Sequence, residues 1–150
     1  MNDLTSQLDP KQQEVWAQSL ALARACDFEE GHSYQVTRLA SRLFDELGAM
    51  HQLGAPERFF LLLAGLLHDI GWIEGWKGHH KSSLNIILSS PMLPFDSRER
   101  LLIGSVCRYH RRALPDLMHD HFAALDEADR LVVTRLAALL RVADWLDYTH

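Results

Sequence analysis

Cysteine is scarce in this chain of 150 residues: only Cys26 and Cys107 occur, far apart and in no C-x-x-C spacing. They read as buried, reduced thiols, which excludes a disulfide framework and a thiolate metal cluster. Eight glycines and five prolines are too few for a collagen-like or low-complexity chain. Long apolar runs are missing as well. The longest, Phe59 to Leu67, has nine residues, against the roughly 20 a spanning helix needs. The polar stretch Met1–Pro10 has no apolar signal-peptide core. Positive charge is outweighed, with 15 basic residues against 20 acidic ones and a net charge of −5, so a general nucleic-acid binder with a basic face is disfavoured. These absences leave one cytoplasmic domain over residues 1–150, with no membrane segment, as monomer or homodimer.

What is present is helical periodicity and histidine. Asp9-Pro10 reads as an N-cap with proline at the first helical position, opening a helix to about Ala25. A second helix from near Glu29 carries the stripe Val36, Leu39, Ala40, Leu43, Phe44 and Leu47, with Gly48 as the expected C-cap. Pro56 opens a third, from Glu57 to about Asp69, apolar nearly all round and therefore expected at the centre. A fourth starts at His79-His80 and stops before Pro91. A fifth, capped by Asp96 or Ser97, runs toward Pro115, and a last one spans about Glu127 to Tyr148. No stretch alternates with the period of a strand and no internal repeat occurs. The expected architecture is an all-α single helical bundle of five to seven helices.

Nine histidines are many for this length. His51, His119, His121 and His150 read as surface residues. The others fall where the apolar stripes point inward: His32, His68 beside Asp69, His79 or His80, and His110, joined by Asp144 on the last helix. A single histidine on such a stripe is ordinarily a hydrogen-bonded core residue, and a single aspartate is ordinarily ion-paired, with Arg141 the obvious partner of Asp144. Five such positions on separate helices are another matter. A buried carboxylate needs a partner, and imidazoles with carboxylates and no thiolate form an N/O set suited to Mn, Fe, Mg, Co, Ni or Zn. The two oxygens of Asp69 could serve two ions, a usual arrangement for activating water in phosphoryl chemistry.

The order His32, His68-Asp69, Asp144 resembles the HD-domain superfamily of metal-dependent phosphohydrolases, with "LLHDIGW" (66–72) and "LLRVADWLD" (139–147) as its second and last motifs. Together with "GHHKSS" (78–83), "LPFDSRER" (93–100), "VCRYHRRALP" (106–115) and "RLAALLRVADWLDYTH" (135–150), the chain is similar to the C-terminal HD domain of the exopolyphosphatase/guanosine pentaphosphate phosphatase family. In that family the domain follows an actin-like half that carries the polyphosphate chemistry. These 150 residues do not contain that half, so its activity is not implied.

The resemblance implies an HD-domain fold in which His32, His68, Asp69 and Asp144 hold a first divalent ion. Asp69 would bridge to a second, held also by His110 and a histidine of "GHHKSS". His79 is favoured over His80, because Ser83 and Ile86 follow it as small and aliphatic residues follow this ligand in two-metal members. The reaction implied is hydrolysis of a phosphate ester, in a nucleotide or another small phosphorylated molecule, by a metal-bound hydroxide, with His68 and Asp69 as the catalytic pair. The alternative is a non-catalytic regulatory or ligand-binding module. His80, Lys81, Arg111 and Arg112 are candidate substrate contacts, beside Arg108. Arg141 and Asp147, flanking Asp144, are candidates for orienting ligands. Trp72 and Trp76 either pack or stack on a base, and Trp16 and Trp145 are expected in the core or at an interface. Cyclic-dinucleotide phosphodiesterases of the superfamily carry a lysine after the HD pair and a Gly-Tyr-Pro signature. This chain has Trp72 and no such signature, which disfavours that substrate class.

Overall fold

The computed structural model describes residues 2–148; His150, expected at the surface, lies outside them. The elements are α1 (Asn2–Thr5), α2 (Pro10–Ala25), α3 (Glu30–Glu46), α4 (Gly48–His51), α5 (Ala55–Leu67), a 3-10 turn (Ile70–Glu74), α6 (His79–Ser89), α7 (Ser97–Arg108), α8 (Asp120–Ala123) and α9 (Glu127–Tyr148). Six of these helices have eleven residues or more, and no strand occurs among the described residues. The protein is an all-α bundle. No single helix among the described residues is long and apolar enough to cross a membrane.

Local chemistry sets the helix starts. The Asp9 carboxylate accepts from Gln12 N while the Gln12 side chain accepts from Asp9 N, a reciprocal cap that proline at the next position reinforces. Asp96 and Glu99 cap α7 in the same way. The α5 start is held by Glu57, which accepts from Gly54 N.

α5 is the centre. Every residue from Leu61 to Leu67 is buried, and each large side chain so placed contributes about 1.5–3 kcal/mol of apolar burial. Around it pack α2, α3, α7 and α9, and α6 lies against α7 and the 3-10 turn. Two close approaches need glycine. A Cβ on Gly65 would stand 2.6 Å from Thr37 Oγ1 of α3, and one on Gly71 would stand 2.0 Å from the His79 carbonyl oxygen.

Several boundaries differ from expectation. Gly48 does not cap α3; it opens the single turn α4, and Gln52 takes the left-handed backbone with φ 54°. α7 ends at Arg108, well before Pro115, because Tyr109 caps it and Arg112 turns the chain with φ 65°. His110 therefore sits past the helix and not on its stripe. His51 is buried, contrary to a surface placement: it donates from Nε2 to Phe44 O and accepts at Nδ1 from Leu53 N. His119 and His121 are half-buried, against Tyr109.

Candidate metal centre

Six side chains converge at one end of α5. His32 comes from the first turn of α3, where the Glu29 carboxylate accepts from its backbone N–H. His68 closes α5 and Asp69 begins the turn that follows. His79 is the first residue of α6, His110 lies just past α7, and Asp144 projects from α9. His32 and Asp144 lie inside helices, whereas the other four sit at a helix boundary or just past one, so turn geometry places much of the set. Ser83 staples that geometry, donating from Oγ to His68 O at 2.8 Å and accepting from Gly71 N at 2.9 Å. Together with the glycine contact at Gly71, this ties the HD turn to the start of α6.

The two oxygens of Asp69 face different partners. Oδ2 is 3.3 Å from His32 Nε2 and 3.4 Å from His68 Nε2, while Oδ1 is 3.1 Å from His79 Nε2 and 3.4 Å from His110 Nε2. Asp144 Oδ1 completes the first group, 3.1 Å from His32 Nε2 and 3.7 Å from His68 Nε2. Two triads, His32–His68–Asp144 and His68–Asp69–His110, have all their ligand atoms within 4.8 Å of one another. His79, not His80, faces Asp69. His80 is buried beside it, its ring 6.5 Å from that of His110; burial, with the charges of Arg108 and its neighbours, lowers its pKa to about 4.

The ring tautomers are set from behind. His68 Nδ1 donates to Gly65 O, His79 Nδ1 to Trp76 O and His110 Nδ1 to Cys107 O. A carbonyl only accepts, so Nδ1 holds the proton and a neutral ring turns the Nε2 lone pair toward the carboxylates. For His32 the rear partner is Asp147 Oδ2, the carboxylate–histidine arrangement that commonly supports a metal ligand. Lone pairs facing carboxylate oxygens repel unless a cation lies between them.

Among the described residues, the facing atoms lack partners of any other kind. His68 Nε2, Asp69 Oδ1, His79 Nε2, His110 Nε2 and Asp144 Oδ1 are all buried without a hydrogen-bond partner. Burial alone would raise the pKa of Asp69; the imidazoles of His68, His110 and His32 instead hold it far below the usual carboxylate range. Asp144 is depressed likewise, chiefly by His32 and His68 against its burial. Conversely, the carboxylates of Asp144 and Asp69 close to its Nε2 raise His32 to about 11. At His68 burial opposes the shift, but the same two carboxylates outweigh it and raise the pKa to about 10. His110 goes the other way, lowered by burial. Protons would thus have to charge the half-buried His32 ring and the fully buried His68 ring, whereas divalent ions would satisfy the same oxygens and nitrogens without charging a ring. The donor set fits two such ions.

Arg111, not Arg141, pairs with Asp144, its Nε donating to Oδ2 at 3.0 Å. Arg141 instead clamps the turn, donating to Arg112 O and Ala113 O. A cleft of about 650 Å³ opens beside His110 and Asp144, bordered by Arg111, Arg112, Val142 and an exposed Trp145. Trp72 leans on the His79 ring, centroids 5.0 Å apart, and Trp76 is exposed. Trp16 is in the core, as expected. Lys81 and Arg112 are exposed at the mouth of a smaller cleft.

A family model described as Ppx/GppA phosphatase, domain III, matches residues 17–149. The chain belongs to the Ppx/GppA phosphatase family. No curated protein matches the chain. The match to domain III covers all six converging residues, and it agrees with the resemblance carried by the sequence motifs. As a Ppx/GppA domain III the bundle has a phosphatase-family origin.

Proposed function

We propose that this Ppx/GppA domain III is a cytoplasmic metal-dependent phosphohydrolase that cleaves the phosphate ester of a nucleotide or another small phosphorylated molecule. His32, His68, Asp69 and Asp144 would hold one divalent ion, and Asp69, His79 and His110 a second. The observation that carries the reading is that Asp69 offers its two oxygens to two separate pairs of imidazoles whose Nε2 atoms face it. Divalent ions bound there supply Lewis acidity and acidify water at neutral pH.

The protein's own residues do the rest. Carbonyls behind His68, His79 and His110 hold each Nε2 free to coordinate. Asp147 orients His32, and Arg111 donates to Asp144 Oδ2 and so holds that carboxylate in place. Lys81, Arg111 and Arg112 bring positive charge to the mouth, where an anionic substrate is steered despite the net acidic chain.

A second reading, a regulatory module that binds metal or ligand without turnover, is favoured by one finding: the match is to domain III of a phosphatase family, the region that by resemblance follows the half carrying the chemistry. Elemental analysis of untagged protein, joined to a phosphate-release screen over nucleotides and sugar phosphates, separates the two. About two equivalents of metal per chain with phosphate release supports the hydrolase. Metal without release from any ester supports the module. No metal after incubation with each ion overturns the enzyme.

A further inference from the structure

Beyond the six converging residues, two more buried side-chain atoms stand without a partner among the described residues, the Ser33 hydroxyl and one charged group, Arg108. Arg108 ends α7 and is only 8 % exposed, yet its Nη1 is buried with no hydrogen-bond partner among the described residues. Its guanidinium carbon lies 5.9 Å from the centroid of the Tyr109 ring, and the neighbour that favours its charge is Tyr109, not a carboxylate. A guanidinium does not lose its proton in proteins. Arg108 therefore keeps a full positive charge in a poorly solvated place, an arrangement that is costly unless a counter-charge arrives.

The surroundings show where it would arrive. Arg108 lines a cleft of about 330 Å³ together with Lys77, His80, Lys81 and Arg112, and Trp76 stands at its edge. No carboxylate lines it among the described residues, in a chain with five more acidic than basic residues. Its wall is held in shape: the left-handed turn at Arg112 is clamped by Arg141, which donates to the carbonyls of residues 112 and 113. The cleft also includes His79 and Arg111, so an anion there would adjoin the second ion's ligands and the arginine that holds Asp144.

We propose that this cleft is an oxyanion subsite for a phosphate group, anchored by the buried Arg108 guanidinium and completed by His80, Lys81 and Arg112 at its mouth. Planar guanidinium binds two phosphate oxygens at once, which a buried, pre-positioned arginine does at little entropic cost. The group bound is either a phosphoryl group of the substrate or inorganic phosphate. As a substrate contact the subsite rests on the hydrolase reading; as a phosphate site it does not.

The test begins with metal-free full-length protein titrated with inorganic phosphate and followed by calorimetry and phosphorus NMR. Wild type is expected to bind, and Arg108→Gln to bind at least about tenfold more weakly, the loss of one charged bidentate contact. Arg108→Lys, which keeps the charge but not the fork, should fall between them. Equal binding by wild type and Arg108→Gln, or no binding by wild type at about 10 mM phosphate, overturns the subsite. If Arg108→Gln does not fold, the double variant His80→Gln/Arg112→Gln carries the same test with the same two outcomes.

With metal-loaded protein and any ester that is turned over, the source of the phosphate follows. A substrate phosphoryl group makes Arg108→Gln raise KM by the same factor as it weakens phosphate. A product phosphate leaves KM in place and relieves competitive inhibition by phosphate. Phosphate binding that depends on Arg108 in a protein with no turnover sustains the subsite while the hydrolase reading fails. Turnover and phosphate affinity both indifferent to Arg108→Gln overturn the subsite and leave the hydrolase intact.

Discussion

Arg100 and Arg108, toward opposite ends of helix α7, are treated in opposite ways. Arg100, near its start, spends its fork on three carbonyls: Nε donates to Phe95 O at 3.1 Å, Nη1 to Ile87 O at 2.8 Å and Nη2 to Leu93 O at 2.9 Å. Arg108, at its end, leaves Nη1 buried and bare. The imidazoles divide along the same line. His51 uses both ring nitrogens, while His68, His79 and His110 each use one and leave Nε2 buried without a partner. Arg98 grips Asp129 through two bonds, whereas Asp69 and Asp144 each keep a buried oxygen unpartnered. This chain satisfies buried polar groups where only packing is at stake. Of the unsatisfied buried side-chain atoms among the described residues, all but Ser33 Oγ belong to the candidate metal centre or to Arg108, so the shortfall concentrates where a ligand is proposed.

The strongest way to break that contrast is Asp69→Ala. With the bridging carboxylate gone neither group of imidazoles keeps its shared oxygen, and the metal content should fall from about two equivalents to near zero. Elemental analysis after loading with manganese checks it, and retention of both ions would mean that the orphaned atoms are not ligands. Arg100→Met is the converse change. It should cost about 2–3 kcal/mol of stability in urea unfolding, because three part-buried carbonyls lose a charged donor, while metal content stays as in wild type. Loss of metal in that variant would join two ends of the bundle that the hydrogen bonds keep separate.

Much of this contrast was legible in the sequence, for reasons that differ by residue. Reciprocal caps act within three residues, so Asp9 and Asp96 announce their helices directly. Apolar periodicity turns His32 and Asp144 inward because both ride on long helices with a clear stripe. His110 was found by a register argument that does not hold, since α7 ends at Arg108 and a turn carries the imidazole to Asp69. Motif resemblance, not periodicity, is what singled out His79. The pairing of Asp144 with Arg111, where Arg141 was expected, depends on the left-handed backbone at Arg112, which spacing cannot reveal. His51 was misplaced at the surface because its cover comes from outside its own short helix: the Phe44 ring lies tilted against it, and Arg135 of α9 donates to its carbonyl. Arg108 stood out only as one of several arginines, for a missing partner leaves no trace in composition.

A finer test concerns how His32 is held. Asp147 Oδ2 accepts from its Nδ1, so Asp147→Asn keeps the size of the side chain and removes the charge that makes the ring a better donor to a cation. Such supporting carboxylates commonly account for 10–100-fold in metal affinity, and a loss of about that size is expected here at one of the two ions only. Competition against a chelator of known affinity measures it. If both ions weaken equally, Asp147 supports the whole cluster and the division between the two Asp69 oxygens loses its meaning.

The smallest effect belongs to a pair with better geometry than any in the metal centre. Arg58 donates from Nε and Nη2 to the two oxygens of Asp45 at 2.8 and 2.9 Å, but the Asp45 side chain is 55 % exposed. The hydrogen bond from Arg58 lowers the Asp45 pKa below 3.8 against a weaker opposing effect of burial. A folded-state value below the unfolded one means that the pair stabilises fully above about pH 4, and that this contribution is lost as pH falls through the folded pKa. Solvent screening limits it to about 0.5 kcal/mol. The stability gap between wild type and Asp45→Asn should therefore be small and flat from neutral pH down to about 5, then close below about 4. A gap well above about 1 kcal/mol would show that fork geometry by itself stabilises this fold. The contrast between Arg100 and Arg108 would then concern shape alone. A small gap leaves burial as the quantity that decides, and burial is what makes the bare Nη1 of Arg108 and the bare oxygens of Asp69 and Asp144 costly to leave without a ligand.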